Sequence, residues 1–359
     1  MSNTPASARP RLSRRRKLLF ALLPLALLFT LGEGFARSFR QRNSHSPFMT
    51  GSFRDQRIDL IRRGYPAAHD PQLGYVPRPG FASADNRWAA MVTIDNTGLR
   101  TNGSARPAGQ RGVLAVGDSF TFGDQVADAQ TWPAQLEQAL QKPVWNGGVF
   151  GYSFAQTVLR AEQLLERLPV DTLVLSFIPD DLKRCEMSKR FTEVPWFDLV
   201  DGALVLKNVP VPDSDRSALD HQYVRKLLGY SALCDLVFWN AVPTWWVGDP
   251  REVYVHARGV GVEIGVKLLA RLAANVRGRG IRLLLVLQDI AEPAPWAVAD
   301  GATFLARAEQ LGVQRLDLQS RFVQLATQDP SLKQRYFAGH MKAAGNAWVA
   351  QQIAAVLRE

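Results

Sequence analysis

Cysteine is almost absent from this chain: two thiols, Cys185 and Cys234, in 359 residues. A disulfide-stapled scaffold is therefore excluded, because at most one bridge can form. Histidine is also sparse, at five residues, and no Cys/His cluster has the spacing of metal ligands, so neither metal nor cofactor is expected. Charged residues make up only 21% of the chain against 47% hydrophobic, which excludes disorder and leaves ample material for a core. Internal repeats and nucleic-acid-binding motifs are missing. So is the G-x-S-x-G elbow of the α/β-hydrolases.

What is present begins with a charge asymmetry. The net charge of +10 would suit a nucleic-acid binder, but six basic residues (Arg9, Arg11, Arg14, Arg15, Arg16 and Lys17) sit directly ahead of the apolar run "LLFALLPLALLFTLG". Basic residues in that place set membrane orientation by the positive-inside rule. Leu18–Ala36 is close to the ~20 residues that cross a bilayer. Two readings stand: a signal anchor, favoured by Arg37 and Arg40 just beyond, or a signal peptide cleaved after Gly34-Phe35-Ala36. Both put the remainder outside the cytoplasm, and the favoured anchor gives a single-pass protein of the inner membrane with residues 1–17 cytoplasmic, 18–36 in the bilayer and the rest periplasmic. An oxidising compartment would permit a Cys185–Cys234 bridge; two buried free thiols fit the sequence as well.

Residues 37–110, rich in Pro, Gly, Asn and Arg, read as a tether and a small loop-rich β element. From residue 111 short apolar runs recur at 112–116, 143–146, 172–178, 282–288 and 313–318, with helical spacing between most of them, as at 153–168 and 263–278. Apolar strands alternating with amphipathic helices imply α/β architecture, a parallel sheet covered on both faces. Such sheets present ligand sites at the carboxyl ends of their strands. The segment 183–255 breaks the alternation and holds four of the nine tryptophans: Trp196, Trp239, Trp245 and Trp246. Asp235 and Asn240 argue against a second bilayer crossing. The segment reads as an insertion capping the strand ends, as a helical pair filling one side of the core, or as an interfacial aromatic patch with Trp245 and Trp246 on the membrane.

Chemistry concentrates where these strands end. The first closes in "GVLAVGDSFTFG" (112–123), with Ser119 directly after the apolar run; the second leads into the glycine-rich "NGGVFGYS" (146–153) and the third into "IPDDL" (178–182). Near the C-terminus "GHMKAAGN" (339–346) puts His340 just before the last helix. A serine nucleophile needs a base, usually histidine, and the oxyanion it generates needs backbone N–H donors, which a glycine-rich turn supplies.

These motifs resemble those of the SGNH (GDSL-type) hydrolases, serine esterases and acyl-group transferases on a flavodoxin-like sheet. The resemblance covers residues 112–359 apart from the insertion. It implies a three-layer α/β/α fold with five parallel strands, Ser119 as nucleophile and His340 as base. It also implies an oxyanion hole of the Ser119 and Gly151 N–H groups, with Asp180 in the slot the family fills with asparagine. Two departures stand out. An ionised Asp180 ~4 Å from an oxyanion would cost about 4 kcal/mol at an effective dielectric of 20, so it would have to be protonated, or turned away as a helix N-cap. The acid the family places three residues before the histidine is replaced by Phe337, leaving a Ser-His dyad or a role for Asp317 in "RLDL". The expected function is removal of an O-acyl group, acetyl foremost, from an acylated envelope or exported carbohydrate or another ester. The alternatives are O-acyl transfer to the same glycans and a catalytically silent scaffold.

Overall fold

The computed structural model describes residues 13–43, 52–58, 66–84, 90–103, 109–190, 192–213, 222–248, 251–288 and 292–359. Arg9, Arg11, His45 and His221 lie outside them. The chain divides into two compact units, one of residues 1–61 with 216–250 and one of residues 62–215 with 251–359.

The larger unit is built on five strands: β1 (Gly112–Val116), β2 (Val144–Asn146), β3 (Val170–Phe177), β4 (Arg282–Leu287) and β5 (Gln314–Asp317). All pair in parallel, in the order β5-β4-β3-β1-β2. This is the flavodoxin-like order, in which the chain steps from β1 outward to β2 and then crosses back to β3. Alternating side chains explain the layers. Leu114 and Val116 of β1, with Leu173, Leu175, Leu285 and Leu287, pack under the helices Phe154–Leu165, Val260–Gly278 and Pro295–Gln310. Val113, Ala115, Val174, Leu284 and Val286 face the opposite way, onto the helices Trp132–Leu140, Leu318–Gln328 and Ala343–Arg358. Both faces of each central strand are buried, which is why the strands read as unbroken apolar runs.

The β element ahead of the sheet consists of two short hairpins, Ala67–Asp70 with Gly74–Pro77 and Ala82–Ser83 with Val92–Thr93. It braces the turn after β2: Tyr75 Oη donates to Phe150 O (2.8 Å), Tyr152 Oη to Tyr75 O (2.5 Å) and Gln156 Nε2 to Leu73 O (2.8 Å).

The smaller unit holds the helix Arg14–Asn43. Its stretch Arg15–Phe39 is long and apolar enough to cross a membrane by length and composition, and its most apolar window is wholly exposed. The helices Tyr223–Leu228, Ala232–Ala241 and Pro243–Val247 belong to this unit. The segment 183–255 is shared between the two units. Residues 183–215 stay with the sheet, where Trp196–Val200 and Ala203–Lys207 form a hairpin, and residues 216–250 join the N-terminal helix. The buried residues of the latter part, such as Ala232 and Trp246, pack within the smaller unit.

Candidate active site

Beyond β1 the chain turns abruptly into the four-residue helix Ser119–Phe122. Gly117 makes the turn possible: a Cβ there would collide with Thr121 Oγ1 and stand 2.9 Å from Ser176 O. Asp118 caps the helix, its Oδ1 accepting the Phe120 N–H at 3.0 Å. The helix ends at Gly123, whose φ of 92° lies in the left-handed region and whose N–H closes onto Ser119 O.

His340 arrives from the far end of the chain on the hairpin Phe337–Ala338 and His340–Met341, which turns at Gly339. Asn346 fastens it. Its Nδ2 donates to Met341 O (3.2 Å) and Lys342 O (3.1 Å), and its Oδ1 accepts the Trp132 N–H (2.9 Å). Gln125 Oε1 accepts the His340 N–H at 3.3 Å. These supports bring Ser119 Oγ to 2.9 Å from His340 Nε2, across 221 residues of sequence. Asp118 Oδ2 lies 3.3 Å from the same hydroxyl. Ser119 is 6% exposed and the His340 side chain 29%, so the pair opens to solvent on the imidazole side.

The acid at this site is not where sequence reading looked. Phe337, in the family's acid slot, is buried against Phe322 with ring centroids 5.1 Å apart. Asp317 is a helix N-cap: Oδ1 accepts the Ser320 N–H at 2.9 Å and Oδ2 the Ser320 hydroxyl at 2.6 Å. Its carboxylate serves the helix Leu318–Gln328. The acid near the imidazole is Asp124, whose side chain is fully buried and whose Oδ2 stands 3.8 Å from His340 Nε2. It lies five residues after the serine, on the turn that Gly123 opens. Arg100, itself buried, clamps that turn by donating to Phe122 O (2.8 Å), Gly123 O (2.6 Å) and Val126 O (2.6 Å), and it pairs with Asp128 at 3.0 Å. The sequence signal for Asp124 was the acid directly after the helix-ending glycine in "GDSFTFGD".

Gly151 sits in the turn after β2 with φ 71°, its carbonyl accepting from Arg190 Nη1 at 3.0 Å. Among the described residues, neither the Ser119 nor the Gly151 N–H finds an acceptor. Asp180 is not an N-cap. Ile178 holds that position at the helix Pro179–Arg184, and Asp181 Oδ2 reaches back to accept the Ile178 N–H at 3.0 Å. Asp180 sits half-buried in the first turn. Asp181 also pairs with Arg184 at 2.5 Å, and Arg184 reaches to 3.6 Å from Asp118 Oδ2. Burial, and next the Asp118 charge, push the Asp181 carboxyl well above the usual carboxylate range, against the pull of Arg184. The cluster therefore holds two carboxyl groups and one guanidinium directly beneath the serine helix.

Remaining candidates resolve simply. Both cysteines are free thiols; burial pushes Cys185 up to about 12, so it stays protonated. His256 packs edge-on to Trp196 and bonds Phe197 O at 2.8 Å, while His69 lies 4.0 Å from Asp213. No cluster of His, Cys, Asp and Glu that could hold a metal occurs among the described residues.

No protein-family model and no curated protein sequence matches the chain. Among solved structures it is similar to a lipolytic G-D-S-L family member from Veillonella parvula, at 11% identity and a TM-score of 0.41, covering 69% of this chain and 98% of that one. Another of the same family, from Desulfitobacterium hafniense, shows 14% identity and a TM-score of 0.39 over 68% of this chain and 98% of that one. An acetylxylan esterase from Geobacillus stearothermophilus shows 13% identity and a TM-score of 0.38 over 68% and 92%. Independently of these likenesses, the strand order and the two helical layers give the larger unit a flavodoxin-like three-layer α/β/α fold, with Ser119 at the end of its first strand.

Proposed function

We propose that the protein is a serine esterase of the SGNH type that removes O-acyl groups, acetyl foremost, from an envelope or exported glycan, anchored in the inner membrane by its N-terminal helix with the sheet unit in the periplasm. The observation that carries this reading is the 2.9 Å contact between Ser119 Oγ and His340 Nε2. His340 takes the hydroxyl proton as Ser119 attacks the ester carbonyl; collapse of the tetrahedral adduct expels the alcohol, which receives that proton from the imidazolium. Water then attacks the acyl-enzyme, again with His340 as base, and releases the acid and the free serine. The unengaged Ser119 and Gly151 N–H groups stabilise the oxyanion.

Asp124 supplies the charge partner that Phe337 cannot. Unit charges ~4 Å apart attract by about 4 kcal/mol at an effective dielectric of 20. A carboxylate at 3.8 Å therefore favours the imidazolium that forms as the serine ionises.

The test is a fluorophosphonate probe with hydrolysis of p-nitrophenyl acetate. Labelling at Ser119 is expected, absent in Ser119→Ala and reduced at least a hundredfold in rate in His340→Ala. An unlabelled wild-type chain would overturn the reading in favour of a silent scaffold. Labelling with little hydrolysis, but acyl transfer to an added glycan, would replace it with a transferase.

A further inference from the structure

The smaller unit presents an apolar surface that its own core does not cover. Tyr223, Val224 and Leu227 on the helix Tyr223–Leu228 are 75%, 70% and 74% exposed, with Tyr230, Val237, Val242 and Trp245 also largely exposed. Seven large apolar side chains thus face outward within 23 residues, a density found elsewhere among the described residues only on the N-terminal helix. An amphipathic face of this kind needs an occupant.

Three observations identify it. First, the segment is fixed to the apolar helix. Glu33 accepts from Ser231 Oγ (2.7 Å), Ala232 N–H (3.0 Å) and Leu233 N–H (3.0 Å), capping the helix Ala232–Ala241, and Leu233 packs so closely on Gly32 that a Cβ there would stand 2.8 Å from it. Second, the attachment falls where the apolar run of the N-terminal helix gives way to polar residues: Glu33 is followed by Arg37, which pairs with it at 2.7 Å and donates to Tyr230 O at 3.1 Å. A cap at that level holds the segment at interfacial depth rather than far from the bilayer. Third, between the flanking Asp220 and Asp249 the charged side chains left to solvent are cations. Residues 222–248 contain Arg225 and Lys226 and one acid, Asp235, which is fully buried and accepts from Trp246 Nε1 at 2.8 Å. The charged side chains that these residues leave to solvent are thus Arg225 and Lys226, beside the exposed apolar ones. Arg225 stacks on Trp245, its Cζ 4.6 Å from the ring centroid, a pairing suited to the headgroup region. The helix Ala232–Ala241 is 10 residues long, far short of the ~20 needed to span, so the segment lies along the surface and does not cross.

We propose that residues 222–248 form an interfacial membrane foot. In this arrangement Tyr223, Val224, Leu227, Tyr230 and Trp245 enter the boundary between headgroups and acyl chains, and Arg225 and Lys226 meet anionic lipid phosphates. The proposal rests on the reading of the N-terminal helix as a bilayer span.

The full chain, reconstituted in phosphatidylcholine–phosphatidylglycerol vesicles, tests it. In a Cys234→Ser background, nitroxide labels are placed singly at Leu227→Cys, at Leu25→Cys in the apolar helix and at Gln324→Cys on the exposed side of the helix Leu318–Gln328; Cys185 is buried. Collision rates with oxygen, which partitions into lipid, and with a water-soluble nickel chelate are compared. The Leu227 label is expected to resemble Leu25, with the ratio of oxygen to nickel collisions several-fold above that at Gln324. A Leu227 label as wet as Gln324, beside a lipid-exposed Leu25, overturns the foot and leaves the anchor standing. A wet Leu25 label overturns anchor and foot together. A Leu227 label shielded from both reagents and broadened by a neighbouring spin overturns the foot in favour of a second copy of the chain.

Discussion

At the scale of single residues, the site differs from a serine triad in where the charge comes from. Ser119, Gly123 and Asp124 share one tight turn, so the proposed nucleophile and the acid are set by the same backbone, and the imidazole is brought to both from elsewhere. In the proposed mechanism Asp124 is a positioning residue whose effect is electrostatic. A carboxylate beside the ring raises the imidazole's proton affinity. Asp124→Asn keeps the shape and removes the charge, so kcat should fall on the order of a hundredfold. The acid limb of the kcat/KM profile should move to lower pH, because the neutral ring is then favoured. A purely structural role would lower activity without moving that limb. The measurement is a pH–rate profile of wild type and variant on p-nitrophenyl acetate. An unmoved limb with full activity would remove Asp124 from the mechanism.

At the scale of elements, two supports hold the serine helix. Arg100 grips its far end through three carbonyls, and the Asp118–Arg184–Asp181 cluster secures its near end to the helix Pro179–Arg184. The second support has a pH signature. With the Asp181 carboxyl raised by burial, the native state keeps a proton that the unfolded chain has already released. The unfolded state then binds fewer protons, so stability falls as pH rises from the ordinary carboxylate range toward the raised native value, by up to about 1.4 kcal/mol per pH unit for one group. Asp181→Asn retains an oxygen for the Ile178 N–H and cannot titrate. Melting temperatures between pH 5 and 8 should therefore decline more steeply in wild type than in the variant. Parallel curves would show that Asp181 is ionised throughout, held so by Arg184.

At the scale of the whole molecule, legibility followed how local each signal was. The central strands β1, β3 and β4 were readable because both faces of each are buried, leaving continuous apolar runs such as "TLVLSFI", and the sheet order then places the residues after β1 at its carboxyl edge. Asp317 was ambiguous because an acid at a strand end suits a catalytic role and a helix cap equally; Ser320 three residues on was the sign of the cap. Asp124 was missed because its value depends on a histidine 216 positions away, a pairing no local pattern records. The grouping of 216–250 with the N-terminal helix was not legible for the converse reason: tryptophan content shows that something must be covered, but not that Glu33 would cap its helix.

That division has a consequence for function. Ser119, Asp124, Gly151, Asp181, Arg184 and His340 all belong to the unit of residues 62–215 and 251–359, and so does Arg100, which clamps the catalytic turn. The smaller unit supplies no side chain to the site so described. A chain lacking residues 1–61, with 216–250 replaced by a flexible Gly/Ser linker, should thus retain kcat/KM on a small soluble ester within about threefold of the full protein, ordered binding groups being unchanged. It should also remain in the supernatant when sedimented with vesicles that carry the full chain down. The comparison is made on material whose circular dichroism matches the α/β content of the sheet unit. A folded but inactive variant would place part of the catalytic machinery in the membrane-proximal unit, and vesicle binding that survives the deletion would move the attachment to the sheet unit itself.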